Sequence, residues 1–301
     1  MPRLKVNGVA IDDTFAEAFG MRATALVVTA PNRKWARQAA ISMTGFATSV
    51  IGCGCEAAID VELAPSQTPD GRPGCRVMIF AVSTDELQRQ LQNRVGQCVL
   101  TSPGSACFAG LAGPTALKLG AALRYFGDGW QIAKNVDGRR IWRIPVMEGE
   151  FVCDRESGTT SGVGGGNILI LATSRGEALA AAEAAVDAME KVEGCILPFP
   201  GGVVRSGSKV GSKYKGMFAS TNNFYCPTLR AQTQTQLPPE VASVMEIVID
   251  GVSPEAVSAC TRAGIEAVVA LGRAKGVVAI DAGNYGGNLG PFHFKLREIM
   301  A

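Results

Sequence analysis

A carboxylate stands in the middle of a strongly apolar stretch late in the chain. Glu246 lies within SVMEIVIDG, residues 243–251, where valine, methionine and isoleucine surround it. A strand that is apolar on both faces is typical of a sheet interior, so Glu246 lies either on a wet sheet edge or in a buried position. Burial would raise the pKa of its carboxyl group, and a neutral carboxylic acid can donate a hydrogen bond to a developing oxyanion. The strand by itself leaves both alternatives open.

A second group of candidate residues is cationic and lies in a stretch rich in glycine and serine. Arg205, Lys209, Lys213 and Lys215 occur within eleven residues, interleaved with serines. Ammonium groups, hydroxyls and free backbone N–H groups can converge on carboxylates or phosphates. The stretch therefore suits an anionic ligand, while a solvated surface loop with ordinary lysines is the alternative.

Several kinds of chemistry are disfavoured by what the chain contains. His293 is the sole histidine, so a histidine-rich metal centre is excluded, and a Ser-His-Asp mechanism would depend on that one residue. The nine cysteines form no CxxC pair and are expected to be mostly buried small hydrophobic residues, so we expect no metal site. GVGGGN (162–167) leads into a strand, and GSKVGSKYKG (207–216) lacks the Gly-Lys-Ser/Thr end of a phosphate loop. Neither stretch predicts a nucleotide site.

Composition and charge narrow the class of protein further. A length of 301 residues suits one large domain or two of about 150 residues. The net charge of +2 indicates no nucleic-acid partner. We see neither an apolar run of the roughly 20 residues that a membrane helix needs nor a signal peptide. We therefore expect a cytoplasmic protein, without a membrane partner, whose cysteines stay reduced.

The candidate residues must be positioned by strands and helices that repeat one local pattern. An apolar strand, a capping side chain and an amphipathic helix follow one another four times, with caps at Asn32, Ser83, Ser174 and Ser253. Pro254 stands at the first helical position after the last cap. A further strand is predicted after each helix, in TSVIGC, CVLTS, CILPF and GVVAID.

Each half of the chain therefore has the order β-α-β, β-α-β. This order predicts an α+β protein of two related ferredoxin-like (split βαβ) lobes with antiparallel sheets. We place the N-terminal lobe at residues 1–155, including a small β-meander at 117–153 with a hairpin turn at Asp137-Gly138. The C-terminal lobe is predicted at 156–301, with a long inserted loop at 200–240 that is expected to be functional.

Long and unusual motifs occur from about residue 5 to residue 297. They are VNGVAIDDTFAEAF, TGFATSVIGC, TPDGRPG, GQCVLT, PVMEGEF, GGGNILI, AAAEAAVDAM, PFPGGVVRSGSKVGSKYK, MEIVIDG and AGNYGGNLG. Together they resemble the formylmethanofuran:tetrahydromethanopterin formyltransferase family. The resemblance implies two related α+β lobes, a homotetramer, and an active site in a cleft near a subunit interface.

The resemblance also implies a reaction. A formyl group moves between the amine of methanofuran and a nitrogen of tetrahydromethanopterin, through a tetrahedral oxyanion. Both carriers are substrates, and we expect no permanently bound cofactor, no metal and no covalent enzyme intermediate. The family's acidic residue in MEIVIDG corresponds to Glu246, which implies that Glu246 is the catalytic acid that stabilises the oxyanion.

Ligand contacts are implied by the same resemblance. Methanofuran carries a glutamyl tail with several carboxylates, which suits the cationic stretch from Arg205 to Lys215. Ser206, Gly207 and Lys209 lie in the longest shared motif and are expected to contact ligand, together with Arg205 and Lys213. Arg72, in TPDGRPG, either touches a ligand or locks its own loop.

The chain departs from methanogen members of the family, which are strongly acidic. Its slightly basic charge and nine cysteines favour a mesophilic methylotrophic bacterium. There the enzyme would work beside formylmethanofuran hydrolase subunits in the oxidation of formaldehyde to formate. The alternatives are a non-catalytic ligand-binding or scaffold subunit of a larger one-carbon complex, and a different acyl transfer on the same fold.

Overall fold

The computed structural model of the chain describes residues 4–235 and 237–301, and its strands and helices alternate along most of the sequence. The strands are β1 (Leu4–Val6), β2 (Val9–Ile11), β3 (Phe15–Thr29), β4 (Glu56–Leu63), β5 (Gly74–Ala81), β6 (Ala106–Ala109), β7 (Thr115–Lys118), β8 (Ile132–Val136), β9 (Arg139–Val146), β10 (Gly149–Asp154), β11 (Glu156–Ala172), β12 (Cys195–Ile196), β13 (Lys209–Val210), β14 (Ala219–Ser220), β15 (Ser243–Gly251), β16 (Val277–Asp281) and β17 (Phe292–Lys295). The α-helices are α1 (Arg33–Thr44), α2 (Val50–Cys53), α3 (Thr84–Arg94), α4 (Gly120–Leu123), α5 (Arg175–Met189), α6 (Pro254–Leu271) and α7 (Leu296–Ile299).

The described residues divide into two units. The middle unit is Met21–Gly162, and the terminal unit joins the described residues up to Gly20 with Val163–Ala301. Pairing is mostly antiparallel, so the expectation of a mixed α and β protein with largely antiparallel sheet is confirmed. The lobe boundary between residues 155 and 156 stays a prediction.

In the middle unit, β3 lies between β5 and β6 and pairs antiparallel with both. β4 extends the sheet beyond β5, while β10, β9 and β8 extend it beyond β6, so the order is β4-β5-β3-β6-β10-β9-β8. Helices α1 and α3 bury their apolar faces in one core, to which Met43, Leu87 and Leu91 contribute.

In the terminal unit the strand order is β1-β2-β16-β11-β15-β12. Helices α5 and α6 cover one face, where small side chains such as Ala181 and Ala185 let the helices approach closely. The opposite face is covered by the long connection between β12 and β15. Leu237 and Val241 from that connection pack on Leu169 and Leu171 of β11. Burial on both faces explains why β11 and β15 are apolar throughout.

The helix starts follow from local chemistry and agree with the sequence. Asn32 accepts the N–H of Trp35 at 3.1 Å, and Ser83, Ser174 and Ser253 each accept an N–H three residues later at 3.2 Å. An N-cap oxygen satisfies one of the free N–H groups at a helix start, which fixes where the helix begins.

Two predicted strands are wrong. TSVIGC contains the short helix α2, capped by Ser49, and the strand that follows α1 is β4. CVLTS begins inside a π-helical extension of α3 at Val95–Val99, and the strand comes later, as β6. Val95 and Val99 continue the four-residue spacing of Leu87 and Leu91 and are buried with them. The helical period therefore persists through residues that have strand propensity.

The β-meander is shorter than predicted. The hairpin at Asp137-Gly138 is confirmed, with left-handed backbone at both residues, as a tight two-residue turn requires. The meander of β8, β9 and β10 starts only at Ile132. Residues 117–131 instead hold the end of β7, helix α4 and a 3₁₀ turn at Arg124–Gly127.

Among the described residues, none of the helices is both long enough and apolar enough to span a membrane.

The cap of α6 makes a testable contribution, because this helix packs behind the strand that carries Glu246. We expect Ser253→Ala to lower the free energy of unfolding by about 1 kcal/mol in a urea titration. Ser258→Ala, the same substitution inside α6, is the matched control and should cost nothing, since alanine favours helix more than serine. Equal losses in both variants would contradict a specific role for the cap.

Candidate active site

Glu246 lies inside a sheet and not on a wet edge. On one side β15 pairs with β11, where Leu169 stands opposite Glu246. On the other side Val204 forms an isolated bridge with Glu246. The N–H of Val204 donates to the carbonyl of Glu246 at 2.7 Å, and the N–H of Glu246 donates back at 3.0 Å. The residue is 7% exposed, so the sheet-edge alternative is excluded.

The bridge also places the cationic stretch beside the acid. Ile247 and Ile249 belong to the core under the helices, so Glu246 projects from the opposite face by the alternation of strand side chains. There it lines a cavity of about 440 Å³ with Arg205, Ser206 and Gly207. The pairing of Val204 with Glu246 therefore brings together residues that the sequence keeps about forty positions apart.

The carboxyl group of Glu246 is engaged by the side-chain amide of Asn167 on β11. Nδ2 of Asn167 donates to Oε1 of Glu246 at 2.7 Å. Burial raises the pKa of Glu246 to about 6, and the amide donor lowers it only in part. The upward direction is the one that burial in an apolar strand predicts, and protonation of Glu246 during the reaction stays a prediction. Asn167 itself is 3% exposed, and sequence analysis missed it.

A larger cavity, of about 1110 Å³, shares Asn222 and Tyr225 with the smaller one. Lys209, Asp281 and Tyr285 line it as well. The hydroxyl of Tyr225 donates to Oδ2 of Asp281 at 2.6 Å. Burial and the negative charge of Asp281 raise the pKa of Tyr225, so its hydroxyl remains protonated.

A second buried carboxylate, Glu17, fixes the loop that carries Tyr285. Glu17 is fully buried and accepts the backbone N–H of Leu289 at 2.9 Å and that of Tyr285. Burial raises its pKa, but N–H donors from Leu289, Gly287 and Tyr285, with His293 nearby, outweigh burial and lower the pKa overall. Glu17 is therefore an ionised anchor. Its position among apolar residues in TFAEAF is the signal that could have identified it.

Tyr285 lies in the electrostatic reach of both acids. Burial raises its pKa to about 12, and the negative charges of Glu246 and Glu17 contribute. Its hydroxyl also faces the carbonyl of Ser208 at 3.4 Å. Sequence analysis did not select Tyr285, although it stands in the shared motif AGNYGGNLG.

The predicted cationic residues take different positions. Lys209 is half-buried, donates to Oδ1 of Asn223, and stands 5.7 Å from the ring centroid of Phe224. Lys213 and Lys215 are exposed and line neither of the two cavities. The stretch runs from the smaller cavity at Arg205 to the larger one at Lys209.

Arg72 belongs to the middle unit and is held by hydrogen bonds within that unit. Its guanidinium donates to the carbonyl of Gly104 at 2.5 Å, to Asp70 at 2.8 Å and to Thr29 at 3.0 Å. These contacts match the loop-locking alternative. A ligand contact by Arg72 stays a prediction.

No group of three or more metal-ligating side chains occurs in the part of the chain that the structure describes. His293 is exposed on β17 and packs its ring on Phe15 at 4.7 Å. The site as built offers a buried carboxyl group with a raised pKa, tyrosine hydroxyls and cationic groups around two adjoining cavities. Such a set can bind anionic ligands and donate hydrogen bonds to a developing oxyanion.

Comparison with known proteins gives one consistent result. Residues 4–146 match the family model described as formylmethanofuran-tetrahydromethanopterin formyltransferase, and residues 149–299 match the model of its proximal lobe. The formylmethanofuran–tetrahydromethanopterin formyltransferase of Methylococcus capsulatus is 62% identical over 98% of this chain and 99% of its own length. One subunit of the formyltransferase/hydrolase complex of Methylorubrum extorquens is 54% identical, covering 100% of this chain and 98% of its own length.

Solved structures agree with the sequences. A chain in the crystal structure of the Methylorubrum extorquens formyltransferase/hydrolase complex with methylofuran superposes with a TM-score of 0.97. It is 53% identical and covers 100% of this chain and 99% of its own length. The Methanosarcina barkeri formyltransferase superposes with a TM-score of 0.93 at 45% identity, covering 98% of this chain and 100% of its own. With both family models matched and relatives this similar along their whole length, the chain belongs to the formylmethanofuran–tetrahydromethanopterin formyltransferase family.

Proposed function

We propose that this protein is a formyltransferase that moves a formyl group between methanofuran, or a bacterial analogue of it, and tetrahydromethanopterin or its dephospho form. The observation that carries the proposal is Glu246, a buried acid with a raised pKa that lines a cavity beside cationic residues. Both carriers act as substrates. That no cofactor stays bound remains a prediction.

The reaction joins an amine nitrogen to the formyl carbon and then breaks the bond from that carbon to the other nitrogen. The carbonyl oxygen carries the negative charge in between. Glu246 is the catalytic acid: its O–H donates a hydrogen bond to that oxygen and stabilises the tetrahedral state more than the planar amide. The remaining contribution is positioning, because both nitrogens must lie on one carbon in attack geometry.

The course of the cationic stretch from one cavity to the other supports one orientation of the bound methanofuran carrier. Its formyl end would lie at Glu246, beside Arg205, Ser206 and Gly207, and its carboxylates would extend towards Lys209. Lys209 is better placed than Lys213 to bind those carboxylates, because Lys209 is half-buried at a cavity wall and Lys213 is exposed. Partly desolvated ion pairs contribute more than exposed ones.

The finer description of the fold is also proposed. In the middle unit the strands β3, β4, β5 and β6 lie in the order β6-β3-β5-β4, and in the terminal unit β11, β12, β15 and β16 lie in the order β16-β11-β15-β12. Both orders are that of a split βαβ unit, with the first and third strands central. We infer two related ferredoxin-like lobes, divided near residues 155 and 156.

The assembly is proposed from the relatives. A role beside hydrolase subunits is supported by the relative in Methylorubrum extorquens, which is itself part of a formyltransferase/hydrolase complex. Homotetramer formation is the family expectation. In a methylotroph, formyl transfer to the furan carrier would precede hydrolysis to formate, in the cytoplasm.

The first test concerns Glu246. Because the protonated form works, kcat/KM for formyl transfer should fall as pH rises through the pKa of about 6. Glu246→Gln keeps the shape and a donor but loses acidity and cannot ionise, so the fall in kcat/KM at high pH should vanish. Glu246→Ala removes the donor and should lower turnover about 100- to 1000-fold, while Glu246→Gln should retain more activity. The KM of both carriers should stay near wild type in both variants. A normally active Glu246→Ala would contradict the proposal, and pterin binding without any transfer would favour the scaffold alternative.

The second test concerns the cationic stretch. Lys209→Glu should raise the KM of the methanofuran carrier about tenfold, with less effect on the pterin carrier, and Lys213→Glu should have a smaller effect because that ammonium is exposed. Lys191→Glu is the charge-matched control on an exposed site of the same unit. Added salt should weaken wild-type carrier binding. Equal changes for both carriers would contradict the assignment.

The third test concerns the hydrolase partner. This chain has one histidine, which is exposed, and therefore has few side chains that could hold a metal and activate water for formamide hydrolysis. We expect the isolated chain to transfer formyl groups without releasing formate. When it is purified from its own cells, a zinc-type amidohydrolase subunit should co-purify with it. Formate release by the isolated chain would overturn this division of labour.

A further inference from the structure

We propose that Asn167 is a positioning residue that decides which oxygen of Glu246 carries the proton and therefore meets the substrate. This inference rests on the proposed function of Glu246 and adds the group that orients it. Asn167 stands on β11 two residues before Leu169, the residue directly opposite Glu246, so it is a diagonal neighbour on the same sheet face.

The orientation of the Asn167 amide is fixed by a group that can only donate. The backbone N–H of Gly283 points at Oδ1 of Asn167 at 2.7 Å, and an N–H cannot accept. Oδ1 must therefore face Gly283, and the NH₂ group must face Glu246, where Nδ2 lies 2.7 Å from Oε1. No tautomer or flip of the amide satisfies both contacts the other way round.

The amide donor in turn determines the protonation of Glu246. In a neutral carboxylic acid, the carbonyl oxygen is the stronger acceptor and the hydroxyl oxygen is the donor. Because Asn167 donates to Oε1, the carbonyl form is favoured at Oε1 and the proton at Oε2. Oε2 is then the atom that donates to the oxyanion, and rotation of the carboxyl group would break the contact with Asn167.

Asn167 is itself held by a chain of contacts from outside its strand. The carbonyl of Gly283 accepts the N–H of Glu17 at 3.1 Å, and Glu17 binds the N–H groups of the loop that carries Tyr285. At Gly283 an added Cβ would overlap Nδ2 of Asn167, so a larger residue there would force the amide to move. Gly283 and Asn167 thus act together to orient the carboxyl group of Glu246.

Other titratable or charged side chains face the cavity of Glu246, and the variants described below leave them unchanged. Among the described residues these are Arg175 at the start of α5, and Arg205, Tyr225 and Cys226 from the connection between β12 and β15. Tyr285 adds a phenol from the loop after β16. Asp250, on the same strand as Glu246, is engaged by the N–H of Gly165 at 3.1 Å.

Asn167→Asp separates the positioning role from a merely structural one. Aspartate keeps an oxygen for the N–H of Gly283 but replaces the donor to Glu246 with a second carboxylate, which raises the pKa of the pair. We expect the alkaline limb of kcat/KM to move up by about one pH unit or more, and kcat to fall roughly tenfold, with the KM of both carriers little changed. A purely structural Asn167 would be rescued by aspartate, and an unmoved limb would overturn the proposal.

Gly283→Ala tests the positioning of Glu246 by Asn167 without changing any charge. The methyl group should displace the amide and remove the donor, so the limb should again move to higher pH. Gly176→Ala, at an exposed helical position with open space around its Cα, is the matched control and should leave the profile unchanged. A Gly283→Ala profile that coincides with the control would count against the proposal.

A measurement that needs no activity keeps the two proposals distinguishable. The C=O infrared band of protonated Glu246, identified by its loss in Glu246→Gln, can be titrated in the wild type and in Gly283→Ala. We expect a higher midpoint in Gly283→Ala, and an equal midpoint would overturn the role of Asn167. Absence of formyl transfer in the wild type would instead overturn the proposed function, whatever the midpoint.

Discussion

The candidate site is built around one desolvated carboxyl group, that of Glu246. Glu246 keeps its proton more tightly than an exposed glutamate because the connection between β12 and β15 covers the sheet face from which it projects. Val204 closes the strand edge, and Arg205 to Gly207 follow at once along the chain. The same segment therefore removes water from the acid and supplies groups that a carrier can contact.

Two buried glutamates in the terminal unit show how environment assigns roles to identical side chains. Glu246 meets a neutral amide, which compensates only part of the cost of burying a charge, and its pKa rises. Glu17 is also inaccessible to solvent, but several backbone N–H groups point at it, and its pKa falls. Desolvation and the donors around each carboxylate together decide whether its pKa rises or falls. One group can donate to a substrate, whereas the other holds a loop in place.

The two units share a strand order but differ in what covers the sheet. In the terminal unit the face opposite the helices is covered by the connection between β12 and β15, residues 197–242, whose described part has little regular structure. In the middle unit the corresponding crossing from β4 to β5 is short and holds Arg72, whose guanidinium donates to Asp70 in the same crossing and to the carbonyl of Gly104. The long connection, rather than the sheet, is what distinguishes the unit that carries the candidate acid.

Local patterns in the sequence determined the helix starts, the main strands and the presence of an acid in an apolar strand. Capping depends on residues three positions apart, and the period of a strand or helix lies within that one element. These features therefore do not depend on contacts with distant parts of the chain. Where local signals conflicted, as at TSVIGC and CVLTS, the helical spacing and the cap at Ser49 prevailed over strand propensity.

Only the tertiary structure decided that Glu246 is buried and which groups surround it. Asn167 and Glu246 are 79 residues apart, Asn167 and Gly283 are 116 apart, and Glu17 and Tyr285 are 268 apart. The register of β11 against β15 and β16 brings the first two pairs together, and the fold of the chain ends brings the third. Such contacts leave no periodic trace in a single sequence, because each partner satisfies its own local pattern equally well without the other.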